Sequence, residues 1–269
     1  MKNTIRMKKV LLLFLFTPFI MKAQNDEGIN VCKTINRAFI PGESLTYTVF
    51  YSLVGAYINA GTANFSVYQE RLDHTPVYHV VASGASNSGY DWIFKVRDRY
   101  ESYFDTATLL SLKFVRDINE GKYKKRENVT FNRVAGTAVT SNGVYKIPDC
   151  VHDVVSSMYN VRNIDFSRYS YGDRIPFQMF MDNETYSLYV RYLGKEVIQT
   201  KYGRFNAIKF KPLLLKGSLF EGGEKMTAWL SDDPNHLLLR VETPISVGSI
   251  KVDLAQYRNI RYPLSSKID

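Results

Sequence analysis

The sequence contains little of the material from which metal, redox and nucleotide sites are built. Two of its 269 residues are cysteine and four are histidine, and their spacing matches no zinc-binding motif. It also lacks a Gly-x-Ser-x-Gly nucleophile elbow, a phosphate-binding glycine loop and a dinucleotide fingerprint. We therefore predict no metal, no cofactor and no catalytic residue, which favours a non-enzymatic protein.

Long apolar runs are also missing, apart from one near the start. Val10–Met21 is almost wholly apolar, follows four basic residues and precedes the small residue Ala23, which is the pattern of a cleavable export signal. We predict a signal peptide over residues 1–23, cut between Ala23 and Gln24. At twelve residues the run is shorter than the roughly 20 that a membrane span needs, so a retained anchor is the weaker alternative.

Export sets the expected location of the protein. We predict a periplasmic protein with no transmembrane segment in the mature chain, and an extracellular one is the alternative. A lipid anchor would need a cysteine at the cut, whereas the nearest one, Cys32, lies well past it. No lipid anchor is therefore expected.

The net positive charge of the mature protein is expected to be smaller than the +9 of the whole chain. Five of the 35 basic residues and none of the 26 acidic ones lie in the predicted signal peptide, which leaves 30 against 26, or +4. The basic residues are scattered, and the densest run is Lys122–Arg126. A charge this small does not indicate a nucleic-acid partner, and we expect none.

Alternation of apolar and polar residues recurs through most of the mature chain. Segments such as Leu45–Tyr51 and Ile250–Leu254 combine this period of two with β-branched and aromatic residues, which is typical of half-buried strands. Turn-forming residues separate the segments, and Asn142-Gly143 is the clearest tight-hairpin signal. The sequence predicts a mainly β protein, with a curved antiparallel sheet or an open barrel-like architecture.

One segment instead has helical spacing. Val151, Val155 and Tyr159 belong to an apolar stripe with intervals of three and four residues, which predicts one short helix near residues 149–163. Asp149 is placed to cap its start, and Cys150 would lie on it. We expect a single β-rich domain over residues 24–269, with two halves, 24–163 and 176–269, as the alternative.

Several short motifs, in this order along the chain, resemble a known family. They are GESLTYTVFY from Gly42, Ala60–Ala63, Asp98–Ser102, Asp153–Tyr159 with Arg162, Tyr202–Ile208 and Trp229–Asp233. Together they resemble the bacterial envelope family known as domain of unknown function 3108. The resemblance implies an exported β-rich protein and supplies no established activity or active residues.

The resemblance and the aromatic content also select a candidate ligand or structural cluster. Its members are Glu43, Asp98, Glu101, Arg162, Trp92 and Trp229. The charged residues suit either a salt bridge that anchors the helix to the sheet or a clamp for a polar ligand. The tryptophans suit either core packing or a lipophilic or glycan site.

The leading functional hypothesis is an exported envelope protein that binds an apolar or lipid-like small molecule or envelope component, or maintains the envelope, without catalysis. A curved sheet of amphipathic strands can enclose a cavity for such a ligand. One alternative is a structural or protein-interaction module that docks through a strand edge or an aromatic patch. Another is a hydrolase of envelope polymers, whose carboxylates would converge to about 5 to 10 Å.

The two cysteines give the first testable prediction. An oxidising compartment favours a Cys32–Cys150 disulfide over two unpaired buried thiols, and a bond closing a loop of this length contributes about 2 to 4 kcal/mol. We expect reduction to lower the melting temperature, measured by circular dichroism. Labelling of both thiols in the native, non-reduced protein would contradict the pairing.

Overall fold

A computed structural model describes residues 34–53, 56–92, 95–215, 222–245 and 248–268. These ranges contain fifteen strands and one α-helix. In chain order the elements are β1 (Ser44–Leu53), β2 (Ala56–Leu72), β3 (Thr75–Ser86), β4 (Arg97–Asp105), β5 (Ser111–Glu120), β6 (Tyr123–Asn132), β7 (Thr137–Thr140), β8 (Gly143–Lys146), β9 (Val151–His152), α1 (Val154–Val161), β10 (Arg174–Met181), β11 (Glu184–Thr200), β12 (Gly203–Pro212), β13 (Thr227–Ser231), β14 (Leu238–Pro244) and β15 (Ser249–Arg258). None of the helical segments in these ranges has the length and apolar character to cross a membrane.

All fifteen strands belong to one sheet. Its order is β8-β7-β6-β5-β4-β3-β2-β1-β15-β14-β13-β12-β11-β10-β9, so β1 lies at the centre and pairs with both β2 and β15. Neighbouring strands are antiparallel except β9 and β10, which are parallel. The predicted class, a mainly β protein with a large curved antiparallel sheet and one short helix, is confirmed.

The sheet curves until elements from its two ends touch. Asp182, in the turn after β10, accepts a hydrogen bond from Arg116 of β5. Phe180 of β10 packs against Phe131 of β6, with ring centroids 6.0 Å apart, and against Tyr145 of β8, at 5.9 Å. The sheet is therefore rolled towards a barrel while β8 and β9 remain its edges in the pairing order.

The helix starts later than the sequence analysis predicted. Val151 and His152 form β9, and α1 begins at Val154. Its cap is Asp153, whose side chain accepts the amide hydrogens of Val155 and Ser156, while the Ser156 hydroxyl bonds back to the Asp153 amide. This capping box satisfies the free amides of the first turn. The predicted cap at Asp149 and the placement of Cys150 on the helix are wrong.

Two further expectations concern a hairpin and a disulfide. The β7–β8 hairpin forms, but Thr140 pairs with Gly143, so its two turn residues are Ser141 and Asn142 rather than Asn142 and Gly143. Cys32 lies outside the described residues, so its disulfide with Cys150 stays a prediction.

The helix packs inside the curved sheet. Val155 and Tyr159 are buried with Phe39, Phe104 and neighbouring apolar side chains of β2 to β6, and the rings of Phe39 and Tyr159 lie 4.8 Å apart. An isolated eight-residue helix is unstable in water, so this packing stabilises α1. At about 12 Å in length, α1 covers only part of strands that are about 33 Å long or longer.

Candidate functional site

Glu43 and Arg162 form a buried, bidentate ion pair. Glu43 directly precedes β1 and Arg162 ends α1, and their side chains are 0% and 6% exposed. Arg162 Nη1 and Nη2 donate to the two carboxylate oxygens of Glu43 at 2.6 and 2.8 Å. Both oxygens of Glu43 are thus engaged by the protein itself.

The surroundings of Arg162 complete this arrangement. Its Nε donates to the carbonyl oxygen of Asn235 at 3.2 Å, and its guanidinium lies 5.5 Å from the ring centre of Phe39 and 5.1 Å from that of Tyr159. Burial disfavours the charged guanidinium, but the neighbouring Glu43 carboxylate outweighs this and raises the pKa of Arg162. The pair anchors the end of α1 to the start of β1 and leaves no free group for a ligand clamp.

The structure does not bring Asp98 or Glu101 to this pair. Both lie on β4, three residues apart, and therefore on opposite faces of the strand. Asp98 accepts the amide hydrogen of Asn119 at 2.9 Å, and burial raises its pKa. These two carboxylates do not converge on a common site.

Glu101 belongs to a separate group on the face of the sheet away from α1. It accepts hydrogen bonds from Arg99 at 2.8 Å and Tyr103 at 3.1 Å, and His79 Nε2 lies 3.0 Å from it. Burial opposes ionisation, but the bonds from Arg99 and His79 outweigh it and lower the pKa of Glu101. Glu70 lies 2.9 Å from the other ring nitrogen of His79.

The two tryptophans also lie apart. Trp92 is 83% exposed in the connection between β3 and β4. Trp229 of β13 is buried and donates its indole N–H to Glu196 at 2.7 Å. Of the six predicted residues, only Glu43 and Arg162 contact each other.

Sequence reasoning missed a buried hydroxyl network at the start of α1. Asp153 Oδ2 accepts hydrogen bonds from Ser102 and Ser111, both at 2.6 Å. The hydroxyls of Ser111 and Ser156 lie 2.6 Å apart, and His152 Nδ1 lies 3.4 Å from Ser156 Oγ. The Asp-x-x-Ser capping spacing was the one signal that could have found part of it.

This network contains serine, histidine and aspartate, but it is not arranged as a hydrolase triad. Asp153 bonds to Ser102, Ser111 and the helix amides rather than to His152, whereas a triad aspartate orients the histidine. Ser156, His152 and Asp153 are at most 1% exposed, so a substrate cannot reach them. Burial raises the pKa of Asp153.

A different part of the inner face of the sheet, the face that packs against α1, is open to solvent. On β2 and β3 this face carries Val67 and Val80, which pack into the core around α1. Because side chains alternate along a strand, Ala63 and Gly84 lie on the same face, four residues further towards one end of the sheet. The pairs Tyr47–Ala63 and Ala63–Gly84 lie in direct register.

These residues form part of what we call the trough. Its members are Val49, Gly61, Ala63, Gly84, Val241 and Val252, connected by the pairs Val241–Val252, Val252–Val49, Val49–Gly61 and Ala63–Gly84. Gly61 is buried and the other five are half-buried. In contrast, Val67, Val80 and Leu254, on the part of this face nearer the core, are buried.

Open space lies above the floor of the trough. A Cβ atom built on Gly84 would meet no other atom within 4 Å, although Gly84 is only half-buried. At Gly61, a Cβ would lie 2.3 Å from the carbonyl oxygen of Ala85, so the close approach of the two backbones there requires glycine. The trough is thus shallow, apolar and lined by small side chains.

One border of the trough is polar. Gly84 pairs with Asp98, and the neighbouring row on the same face runs from Ala82 to Tyr100 and Arg116. Arg116 Nε donates to Glu127 at 2.6 Å, and the two side chains are 6% and 8% exposed. At the same end of β14 and β15, a pocket of about 270 Å³ is lined by residues that include Tyr57, Glu242 and Lys251. Glu242 and Lys251 lie on the face of the sheet opposite to Val241 and Val252.

The fold and the trough describe an open, barrel-like β protein with an accessible apolar inner surface. The model of the family described as "Protein of unknown function (DUF3108)" matches residues 46–255. The chain belongs to this family, and the predicted resemblance is confirmed. No curated protein matches it.

The comparison with solved structures gives one match with a similar overall fold and two weaker ones. A β-barrel-like protein of the domain of unknown function DUF1849 from Brucella abortus is 9% identical, with a TM-score of 0.52 and coverage of 84% of this chain and 99% of that one. A protein described as exported, with a YmcC-like fold, from Bacteroides fragilis is 12% identical, with a TM-score of 0.38 and coverage of 83% and 100%. A protein described as a lipoprotein, from Parabacteroides distasonis, is 14% identical, with a TM-score of 0.36 and coverage of 84% and 99%.

The buried ion pair makes a prediction about stability. Glu43→Gln leaves the Arg162 charge buried without its partner, which costs about 3 to 5 kcal/mol of unfolding free energy. The matched control Glu242→Gln, at a carboxylate 3.6 Å from Lys251 and 42% exposed, costs less than about 1 kcal/mol. Urea titration measures both.

A second variant keeps this test decisive if Glu43→Gln fails to fold. Replacing both partners, as in Glu43→Leu with Arg162→Met, removes the uncompensated charge and restores folding relative to Glu43→Gln. Equal stability of Glu43→Gln and Glu242→Gln would show that the pair is not an anchor.

His152 makes a prediction about pH. Burial, and secondarily the charge of Arg133, lowers its pKa to about 3, whereas an unfolded chain titrates near 6.5. Between these values the unfolded state binds more protons, so acidification destabilises the fold. From pH 6 to pH 4 the wild type should lose about 2 to 3 kcal/mol more than His152→Gln.

Chemical denaturation at several pH values measures this difference. The control His74→Gln removes an exposed histidine and should retain the pH dependence of the wild type. Parallel stability curves for the wild type and His152→Gln over this range would contradict the prediction.

Proposed function

We propose that this protein is a non-enzymatic binding protein of the bacterial envelope that holds the hydrocarbon chain of a lipid-like molecule in the trough. The observation that carries the proposal is the open space above Gly84 on the apolar floor of the trough. Half-buried Val49, Ala63 and Val252 would lose their remaining water contact when a chain lies over them. Each buried methylene contributes about 0.8 kcal/mol.

The shape of the trough favours an acyl chain over a bulkier ligand. Gly61, Ala63 and Gly84 give a floor of the smallest side chains, and valines on β1, β14 and β15 continue it. The floor formed by these residues carries no hydrogen-bonding side chain, and Asp98, which pairs with Gly84, belongs to the polar border. An unbranched hydrocarbon fits this chemistry because it has no polar group to leave unsatisfied.

The length of α1 explains why the trough exists. The helix is about 12 Å long, and its Val155 and Tyr159 pack against the parts of the strands that carry Val67 and Val80. The strands continue past this contact by several residues, and it is there that the exposure of the inner face rises. A ligand chain would extend the core that the helix begins.

Two observations support binding without catalysis. The serine, histidine and aspartate residues that could supply nucleophilic chemistry are buried at the start of α1. The carboxylates of Glu43 and Glu101 are engaged by arginines and lie in separate groups. The predicted export signal supports a periplasmic location for this activity.

The proposal predicts that filling the trough abolishes binding. Gly84→Leu adds a side chain into open space on a strand, where glycine is itself unfavourable, so the fold tolerates it. We expect the affinity for a pyrene-labelled dodecanoic acid, measured by fluorescence titration, to fall at least about tenfold, which is about 1.4 kcal/mol.

Ser83→Leu is the matched control. It places the same side chain one residue away, on the opposite face of β3, and should bind the probe as the wild type does. Melting temperatures of both variants show that they are folded. Wild-type affinity in a folded Gly84→Leu protein would exclude the trough as the site.

A further inference from the structure

A cluster of exposed aromatic and basic residues lies at the end of the sheet where the trough opens. We call it the tip patch, and it consists of Trp92, Lys95, Lys122, Tyr123 and Lys124. Trp92 is 83% exposed and Tyr123 is 46% exposed. Exposed tryptophan at this level is unusual, because the side chain has a large apolar area that water solvates poorly.

Backbone contacts hold the two halves of the tip patch together. The β5–β6 hairpin donates the Gly121 amide hydrogen to the carbonyl oxygen of Lys95 at 2.7 Å, and Val96 forms a β-bridge with Glu120. Asp91, the residue before Trp92, forms an ion pair with Arg97 at 2.7 Å. The patch is therefore a built surface rather than two independent loops.

The charge exposed by the tip patch is positive. Among the described residues, Lys95, Lys122 and Lys124 have no carboxylate within ion-pair distance, whereas Asp91 is paired with Arg97. Asp91 accepts from Arg97 and Ser86. Three exposed lysines thus lie at the same end of the sheet as an exposed tryptophan and an exposed tyrosine.

A second aromatic and basic pair continues this surface around the same end. Lys251, near the start of β15, lies 4.0 Å from the ring centre of Tyr57, near the start of β2, and Tyr57 is 53% exposed. Strand order places these strand ends next to the end of β1. An exposed tyrosine and a lysine that lies 3.6 Å from Glu242 therefore occur further along the same end of the sheet.

We propose that the tip patch docks this protein onto the surface of an anionic lipid bilayer. Trp and Tyr are favoured at the headgroup level, where one part of the ring is buried and another stays hydrated. Each lysine near an anionic membrane surface increases the partitioning of a protein onto that membrane about fivefold. The patch carries both elements at the end where the trough opens, so docking would place the trough opening against the membrane.

Vesicle binding tests the proposal on protein purified after export, with its N-terminus verified by mass spectrometry. Flotation would compare vesicles of about one part phosphatidylglycerol to two parts phosphatidylcholine with vesicles of phosphatidylcholine alone. We expect stronger binding to the anionic vesicles and a loss of about 30-fold for the double variant Lys122→Gln/Lys124→Gln. Trp92→Ala should weaken binding to both kinds of vesicle.

A control variant removes an exposed lysine and an exposed tyrosine elsewhere. Lys146 and Tyr171 are exposed outside the patch, and Lys146→Gln/Tyr171→Ala should bind as the wild type does. Equal losses in the patch and control variants, equal binding to neutral vesicles, or capture of an acidic protein or of DNA instead of vesicles would overturn the proposal.

The docking proposal stands apart from ligand binding in the trough. Gly84→Leu should bind anionic vesicles as the wild type does, because residue 84 is not part of the patch. Loss of vesicle binding in that variant would contradict an independent docking surface, whereas loss of probe binding alone concerns the trough.

Discussion

The buried ion pair between Glu43 and Arg162 is the contact on which the rest of the structure depends. It joins the start of the central strand β1 to the end of α1, and Arg162 also bonds to the turn between β13 and β14 through Asn235. The carbonyl oxygen of Arg162 lies 2.7 Å from the His236 ring, which ties the same turn to the helix. Because an eight-residue helix has little stability of its own, these contacts determine where α1 lies inside the sheet.

The position and length of α1 in turn determine what the inner face can do. Where the helix lies, aromatic and aliphatic side chains from β2 to β6 close around Val155 and Tyr159. Beyond it, the same face continues with valine, alanine and glycine, and these residues remain half-buried. Contacts such as Arg116 with Glu127 and Asp182 hold the curved sheet around this region. The trough is therefore a consequence of a short helix within long strands, with exposed aromatic and basic residues at its open end.

Much of the fold followed from local sequence patterns, and the site did not. Alternation predicts β1 and β15 because each has one apolar and one polar face, whereas Arg174–Met181, which forms β10, lacks that clear alternation. The helix start was misplaced because Asp149 and Asp153 are both capping residues, although only Asp153 has Ser three positions later. No sequence pattern around Gly84 indicates its role in the trough. Its importance depends on the register that sets it beside Ala63, and on empty space that periodicity cannot reveal.

Native mass spectrometry of the protein purified from its own cell tests the central claim most directly. If the trough holds a hydrocarbon chain, part of the folded protein should carry a bound species with the mass of an acyl lipid, released when the protein is denatured. A folded protein found only at the mass of the bare chain, under conditions in which known lipid complexes survive, would contradict the account.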